Sequence, residues 1–128
     1  MVGYRTTPAA MKNDPIVAGL MNSLPKIVLS RTLKGAAWSN TTLIKENAAE
    51  EMMKLKAQKG KDIGILGSAN LAASLMRQNL IDEYRIMVNP IVLGEGNPLF
   101  GKVDERIRLR LLRTRDFKSG NVLLCYMP

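Results

Sequence analysis

The stretch Lys61–Leu75 reads KDIGILGSANLAASL, and its interpretation decides the fold. Asp62-Ile63-Gly64-Ile65-Leu66 is short and apolar, the composition of a strand buried on both faces. Gly67-Ser68-Ala69-Asn70 has the composition of a tight turn. From there Leu71, Ala72, Leu75 and Met76 recur at helical spacing. The expectation is strand, glycine turn, helix, with Ser68 as the N-cap. Such a turn aims the free N–H groups of a helix N-terminus above the sheet edge, where anions and phosphate are attracted. The same residues also suit a plain capped helix after a strand, because they fall short of a full dinucleotide fingerprint.

Upstream, Asp14-Pro15 reads as a helix start, with Asp14 as N-cap and Pro15 at the first helical position. Ile16, Val17, Leu20 and Met21 form its apolar face, and Leu24-Pro25 closes it. The residues before it, Met1–Pro8, read as irregular. Lys26–Leu29 reads as a buried strand ending at Ser30-Arg31-Thr32, and Thr41–Ile44 as a second short strand. A helix is expected over about Glu46–Gln58. Its acidic residues come early and its basic residues late, as the helix dipole favours. With the opening stretch, these elements alternate as in parallel crossovers.

Downstream the pattern changes. Asp82–Pro90 alternates, with Tyr84, Ile86 and Val88 on one face. IVLGEGNPLF, residues 91–100, reads as a loop. Arg106–Arg115 alternates again, Ile107, Leu109 and Leu111 against Arg106, Arg108 and Arg110. The pair Leu111-Leu112 breaks the phase and predicts a bulge. Asp116–Gly120 makes a turn into an apolar strand over Asn121–Met127, so the last two strands form an antiparallel hairpin. The arginines at 106, 108, 110, 113 and 115 read as a basic stripe or as the solvated face of a strand, where arginine discourages edge-to-edge pairing.

Composition narrows the function classes. A chain of 128 residues suits one domain with a real core. There is no histidine and one cysteine, so His-dependent triads, His-based zinc sites, multi-cysteine metal sites and internal disulfide frameworks are excluded; no metal site is expected. Cys125 lies in an apolar run and reads as a small core residue. Any chemistry must come from a cofactor, carboxylates, hydroxyls or backbone groups. A net charge of +8 suits phosphorylated small molecules or nucleic acid. Aromatic content of 5% supports no base stacking, and no specific nucleic-acid partner is expected. No apolar run is long enough to cross a bilayer and no signal peptide is visible, so no membrane partner and a cytoplasmic location are expected.

Several stretches together resemble one family. They are Lys26–Leu33 (KIVLSRTL), Gly67-Ser68 after an apolar run, Leu80-Ile81-Asp82-Glu83, Asn89-Pro90, and Gly94–Phe100 (GEGNPLF). In this order they resemble the dihydrofolate-reductase-like reductases. More closely, they resemble the reductase domain of the bifunctional riboflavin-biosynthesis deaminase/reductase and its stand-alone bacterial relatives. The resemblance runs from about Pro25 to Tyr126. It implies a three-layer α/β/α fold with a mixed sheet and a C-terminal antiparallel hairpin, as one domain over residues 1–128. It also implies NADPH as cofactor, hydride transfer to a small heterocyclic substrate (pterin or ribosylaminopyrimidine-like), and a homodimer. By position, Ser30, Arg31 and Thr32 match the segment near the adenosine 2′-phosphate. Gly67, Ser68, Ala69, Asn70 and Leu71 match the turn over the pyrophosphate. Read without the resemblance, Arg31 is a surface residue; Glu95, in the glycine loop, reads as lining a substrate site or as an exposed loop carboxylate.

The family pattern begins with an extra strand that runs into an active-site loop, followed by a helix and another strand, and Met1-Val2-Gly3-Tyr4 resembles the region after that portion. The expectation is therefore an N-terminally truncated domain with the adenosine half of the cofactor site represented. No catalytic residue is assigned. The alternative reading is a catalytically inactive nucleotide-binding or oligomeric remnant of the same fold.

Overall fold

In the computed structural model, residues 7–66, 68–100 and 106–128 are described. The chain divides into two units, Met1–Lys54 and Leu55–Pro128. In the first, α1 (Pro8–Asn13) and α2 (Pro15–Ser23) pack together, followed by β1 (Lys26–Leu29) and β2 (Thr41–Ile44). Helix α3 (Ala48–Ala57) runs across the division. The second unit holds α4 (Ala69–Met76) and the strands β3 (Tyr84–Val88), β4 (Arg110–Asp116) and β5 (Val122–Met127).

The two N-terminal helices start by one rule. Asp14 Oδ1 accepts from Val17 N at 3.2 Å, and Pro15 opens α2. Thr7 and Pro8 repeat the arrangement for α1, with Thr7 Oγ1 accepting from Ala10 N at 3.3 Å. Helix α1 lies where no helix is expected, although Thr7-Pro8 carries the same start signal. Small Ala10 and Ala18 are the buried residues of these helices. The C-terminus of α2 is closed by Lys26, whose Nζ donates to the carbonyls of Met21, Asn22 and Leu24 at 3.0, 3.2 and 2.8 Å. The same ammonium lies 4.9 Å from the Trp38 ring centroid, and Trp38 Nε1 donates to Asn22 Oδ1 at 2.7 Å.

Strands β1 and β2 pair in parallel, Lys26 with Thr41 through Leu29 with Ile44. In the second unit the sheet order is β3-β5-β4, all antiparallel. The near-continuous apolar run of β5 fits its central place. The register shifts between Leu111 and Arg113, so the expected bulge is present. The hairpin closes through the three residues Lys118-Ser119-Gly120, with Gly120 N donating to Phe117 O at 2.8 Å and Phe117 N to Asn121 O at 2.9 Å. Gly120 has φ +84°, the left-handed residue that such a loop needs. Ala73, Leu75, Met76, Tyr84 and Cys125 are buried, Cys125 to 1% exposure, which bears out its reading as a core residue.

The α/β expectation holds, with both parallel and antiparallel strand pairs. One element differs. Asp62–Leu66 is not a strand: it is irregular, with Ile63 44% and Leu66 75% exposed. An apolar run becomes a doubly buried strand only when neighbouring strands take up its N–H and C=O groups, and no described residue pairs with it. Strand β4 also begins at Arg110, so residues 106–109 lie outside the ladder. Among the described residues, no helix is long and apolar enough to cross a membrane.

Candidate functional site

The residues expected of the site fall into two groups, each described within its own unit. The first follows β1. Ser30 N donates to Ile44 O at 3.0 Å, so the parallel pairing extends one residue past the strand end. Ser30 Oγ accepts from Leu33 N at 3.2 Å and lies 3.4 Å from Thr32 Oγ1. The hydroxyl thereby fastens the Ser30–Leu33 turn upon itself. Arg31 stands on this turn, fully on the exposed side, and no carboxylate among the described residues pairs with it. A free guanidinium on a locked turn beyond the carboxyl end of a parallel pair suits an anion, and its fork matches phosphate.

The second group opens α4. Ser68 occupies the N-cap position, as expected, but makes no side-chain capping bond. Its backbone is left-handed, φ 58° and ψ 70°, whereas a capping residue is normally extended so that its oxygen can reach back to the first turn. Of the four non-glycine residues with positive φ among the described residues, Asn40, Asn47 and Asn79 are of the type that tolerates it; Ser68 is the exception. Ser68 O accepts from Ala72 N at 3.0 Å and so starts the helix. The N–H groups of Ala69, Asn70 and Leu71 precede the first intrahelical donor and lack a side-chain cap from Ser68. Ser68, Ala69 and Asn70 are exposed and Leu71 half-buried. Gly67 lies outside the described residues. Within each unit the expected residues are thus adjacent: Ser30, Arg31 and Thr32 on one turn, Ser68 to Leu71 on one helix start.

Glu95 is exposed in the 91–99 loop, in keeping with its reading as a loop carboxylate. No cluster of metal-ligating side chains occurs among the described residues. A charged cluster that sequence spacing did not suggest lies in the antiparallel sheet. Glu83 Oε1 accepts from Arg85 Nε and from Arg113 Nη2, both at 2.8 Å. The bond from Arg85 holds the Glu83 carboxyl below the ordinary carboxylate value, with the Arg113 charge adding to it against partial desolvation. Burial pushes the neighbouring Tyr84 phenol up.

Residues 1–123 match the RibD C-terminal domain. The chain belongs to this family. Within the RibD C-terminal domain family, it is 42% identical to the protein YyaP of Bacillus subtilis (strain 168) over 107 residues, 84% of this chain and 56% of YyaP. It is 41% identical to YwjB of the same organism over 78 residues, 61% of this chain and 45% of YwjB. The chain therefore spans about half the length of these relatives. A crystal structure of a candidate riboflavin biosynthesis protein from Shewanella sp. PV-4 superposes with a TM-score of 0.70 at 25% identity, over 82% of this chain and 60% of that one. A pyrimidine reductase-like protein from Corynebacterium diphtheriae NCTC shares the fold, with a TM-score of 0.57 at 18% identity over 79% of this chain and 49% of that one. The resemblance carried by Lys26–Leu33, Gly67-Ser68 and residues 94–100 is borne out at the level of family and fold.

Proposed function

We propose that this RibD C-terminal domain is an NADPH-dependent reductase acting on a small heterocyclic substrate, pterin-like or ribosylaminopyrimidine-like. Family membership supports a reductase-type activity, as do the descriptions of the Shewanella and Corynebacterium proteins. The observation that carries the cofactor reading is Arg31, exposed and unpaired among the described residues on a turn that Ser30 fastens. Such a group fits a ribose 2′-phosphate, the feature that separates NADPH from NADH. The uncapped N–H groups of Ala69, Asn70 and Leu71 fit a pyrophosphate oxygen.

In this reading Arg31 binds the 2′-phosphate by charge-assisted hydrogen bonds, and the Ser30 and Thr32 hydroxyls orient beside it. Ser68 makes no side-chain cap at the start of α4, leaving the backbone donors there available to anionic oxygen. A glycine at position 67 carries no side chain to obstruct the cofactor. Bound NADPH supplies the hydride; the chain supplies binding and orientation. A homodimer in the cytoplasm is part of the proposal.

The test is titration with NADPH and, separately, NADH, followed by nucleotide fluorescence. Saturable binding that favours NADPH is expected. Loss of one charged hydrogen-bonding partner costs ~1.5–3 kcal/mol, so Arg31→Ala should weaken NADPH binding roughly tenfold to a hundredfold and leave NADH unchanged. Gly67→Val should weaken both nucleotides. Equal affinities for the two nucleotides in the wild type and in Arg31→Ala would sink the assignment. NADPH binding without oxidation across pterins and ribosylated pyrimidines would favour the inactive remnant instead.

A further inference from the structure

The bulge in β4 gathers arginines that simple alternation would scatter. Arg110 lies opposite Met127 and Arg113 opposite Cys125. Met127 and Cys125 are two residues apart and share a face of β5. Arg110 and Arg113 are three apart, and they share that face only because Leu112 is the extra residue of the bulge. Arg115, opposite Leu123, follows on the same side. From the other edge, Arg85 of β3 also lies opposite Cys125. Four arginines drawn from two outer strands therefore rise from one face of the three-stranded sheet.

All four are exposed, the side chains of Arg85 and Arg113 to 58% and 56%. Glu83 takes both of those guanidinium groups. Arg110 donates to the Met127 sulfur, and Arg115 lies 4.8 Å from the Phe117 ring centroid; both partners are neutral. No carboxylate among the described residues pairs with Arg110 or Arg115. Among the described residues, four guanidinium groups meet one contacting carboxylate, with Asp62 attracting Arg85 at longer range, so positive charge is in excess on this face. The alternation of arginine with core leucine does not explain this face, because every residue of β4 is exposed, Leu111 and Leu112 included. Protection of a sheet edge does not require four charges of one sign on one side.

We propose that this sheet face binds the phosphate backbone of a nucleic acid without reading its sequence. Charge complementarity selects the partner: guanidinium groups pair with phosphate in a bidentate fashion, and the whole chain carries +8. The low aromatic content gives no platform for stacked bases, so the contact is to the backbone.

The test is fluorescence anisotropy with a labelled duplex of random sequence, at increasing salt. Three phosphate contacts on B-form DNA give a log–log slope of about −2.7, or roughly 40-fold weaker binding between 50 and 200 mM salt. Arg110→Gln with Arg115→Gln should leave one such contact and reduce that loss to about fourfold. The exposed pair Lys59→Gln with Lys61→Gln removes the same charge elsewhere and should keep the wild-type slope. Arg110→Lys with Arg115→Lys preserves the charge and should bind the duplex with the wild-type slope, which separates charge from misfolding. Saturating NADPH should not displace the duplex. The proposal is overturned by equal effects of the arginine and lysine pairs, by displacement with NADPH, by tighter binding to phosphatidylserine vesicles than to the duplex, or by no saturable binding.

Discussion

Replacing Gly120 by alanine tests whether the β4–β5 hairpin depends on one left-handed residue. The loop Lys118-Ser119-Gly120 places Gly120 at φ +84°. A side chain there costs ~1–2 kcal/mol in backbone strain. The substitution also restricts the unfolded chain, which returns ~0.4–1 kcal/mol. A Cβ at this position would meet Pro90 Cγ at 3.2 Å and Pro90 Cβ at 3.6 Å. The first contact is tight, but Pro90 is exposed and can give by a few tenths of an ångström. The expected net loss is therefore about 1 kcal/mol, which for a chain of this size lowers Tm by roughly 4 °C. Thermal melts followed by circular dichroism measure it. Asparagine tolerates the left-handed region, so Gly120→Asn should cost less than Gly120→Ala. Two results would refute the reasoning. An unchanged or raised Tm in Gly120→Ala would mean that the turn does not hold this backbone. Equal losses in both variants, relieved by Pro90→Ala, would assign the cost to the Pro90 contact rather than to φ.

Further outcomes follow from the same packing. Because the folded Glu83 carboxyl lies below its ordinary value of 4.5, the folded chain binds fewer protons there than the unfolded chain does. Its contribution is full above that value and fades as pH falls through the folded pKa. Melts from pH 6 to pH 3 should show Glu83→Gln less stable at pH 6 and converging on the wild type at the acid end; a constant gap would rule out the linkage. Cys125→Ser places a hydroxyl at a site only 1% exposed, and a loss of ~1–3 kcal/mol is expected in urea unfolding. Lys26→Met leaves the carbonyls of Met21, Asn22 and Leu24 without their shared cation and should cost ~1–2 kcal/mol, read as a lower Tm.

Most of the elements were legible because local rules govern them. Asp14-Pro15 starts a helix wherever the chain places it, since the cap and the fixed proline φ act within one turn. The strands Lys26–Leu29 and Thr41–Ile44, the hairpin turn and the phase break at Leu111-Leu112 were likewise readable from a few neighbouring residues. The candidate phosphate residues were legible only as types at strand and helix ends. Spacing could not show that Ser30 spends its hydroxyl on Leu33 N, or that Ser68 would be left-handed and uncapped.

The run Asp62–Leu66 marks the limit of that reading. Its composition suits a doubly buried strand, but a strand exists only through hydrogen bonds to another segment, and composition does not supply the partner. The arginines show the same division. By itself the sequence determined that residues 106–115 alternate, that the phase breaks once, and that the chain is strongly basic. Only the tertiary structure decided that one bulged residue returns Arg113 and Arg115 to the face of Arg110, and that β5 brings Arg85 into line with them. The physical reason is that side-chain periodicity belongs to one strand, whereas the register that aligns three strands is set by ladder bonds between residues far apart in the chain.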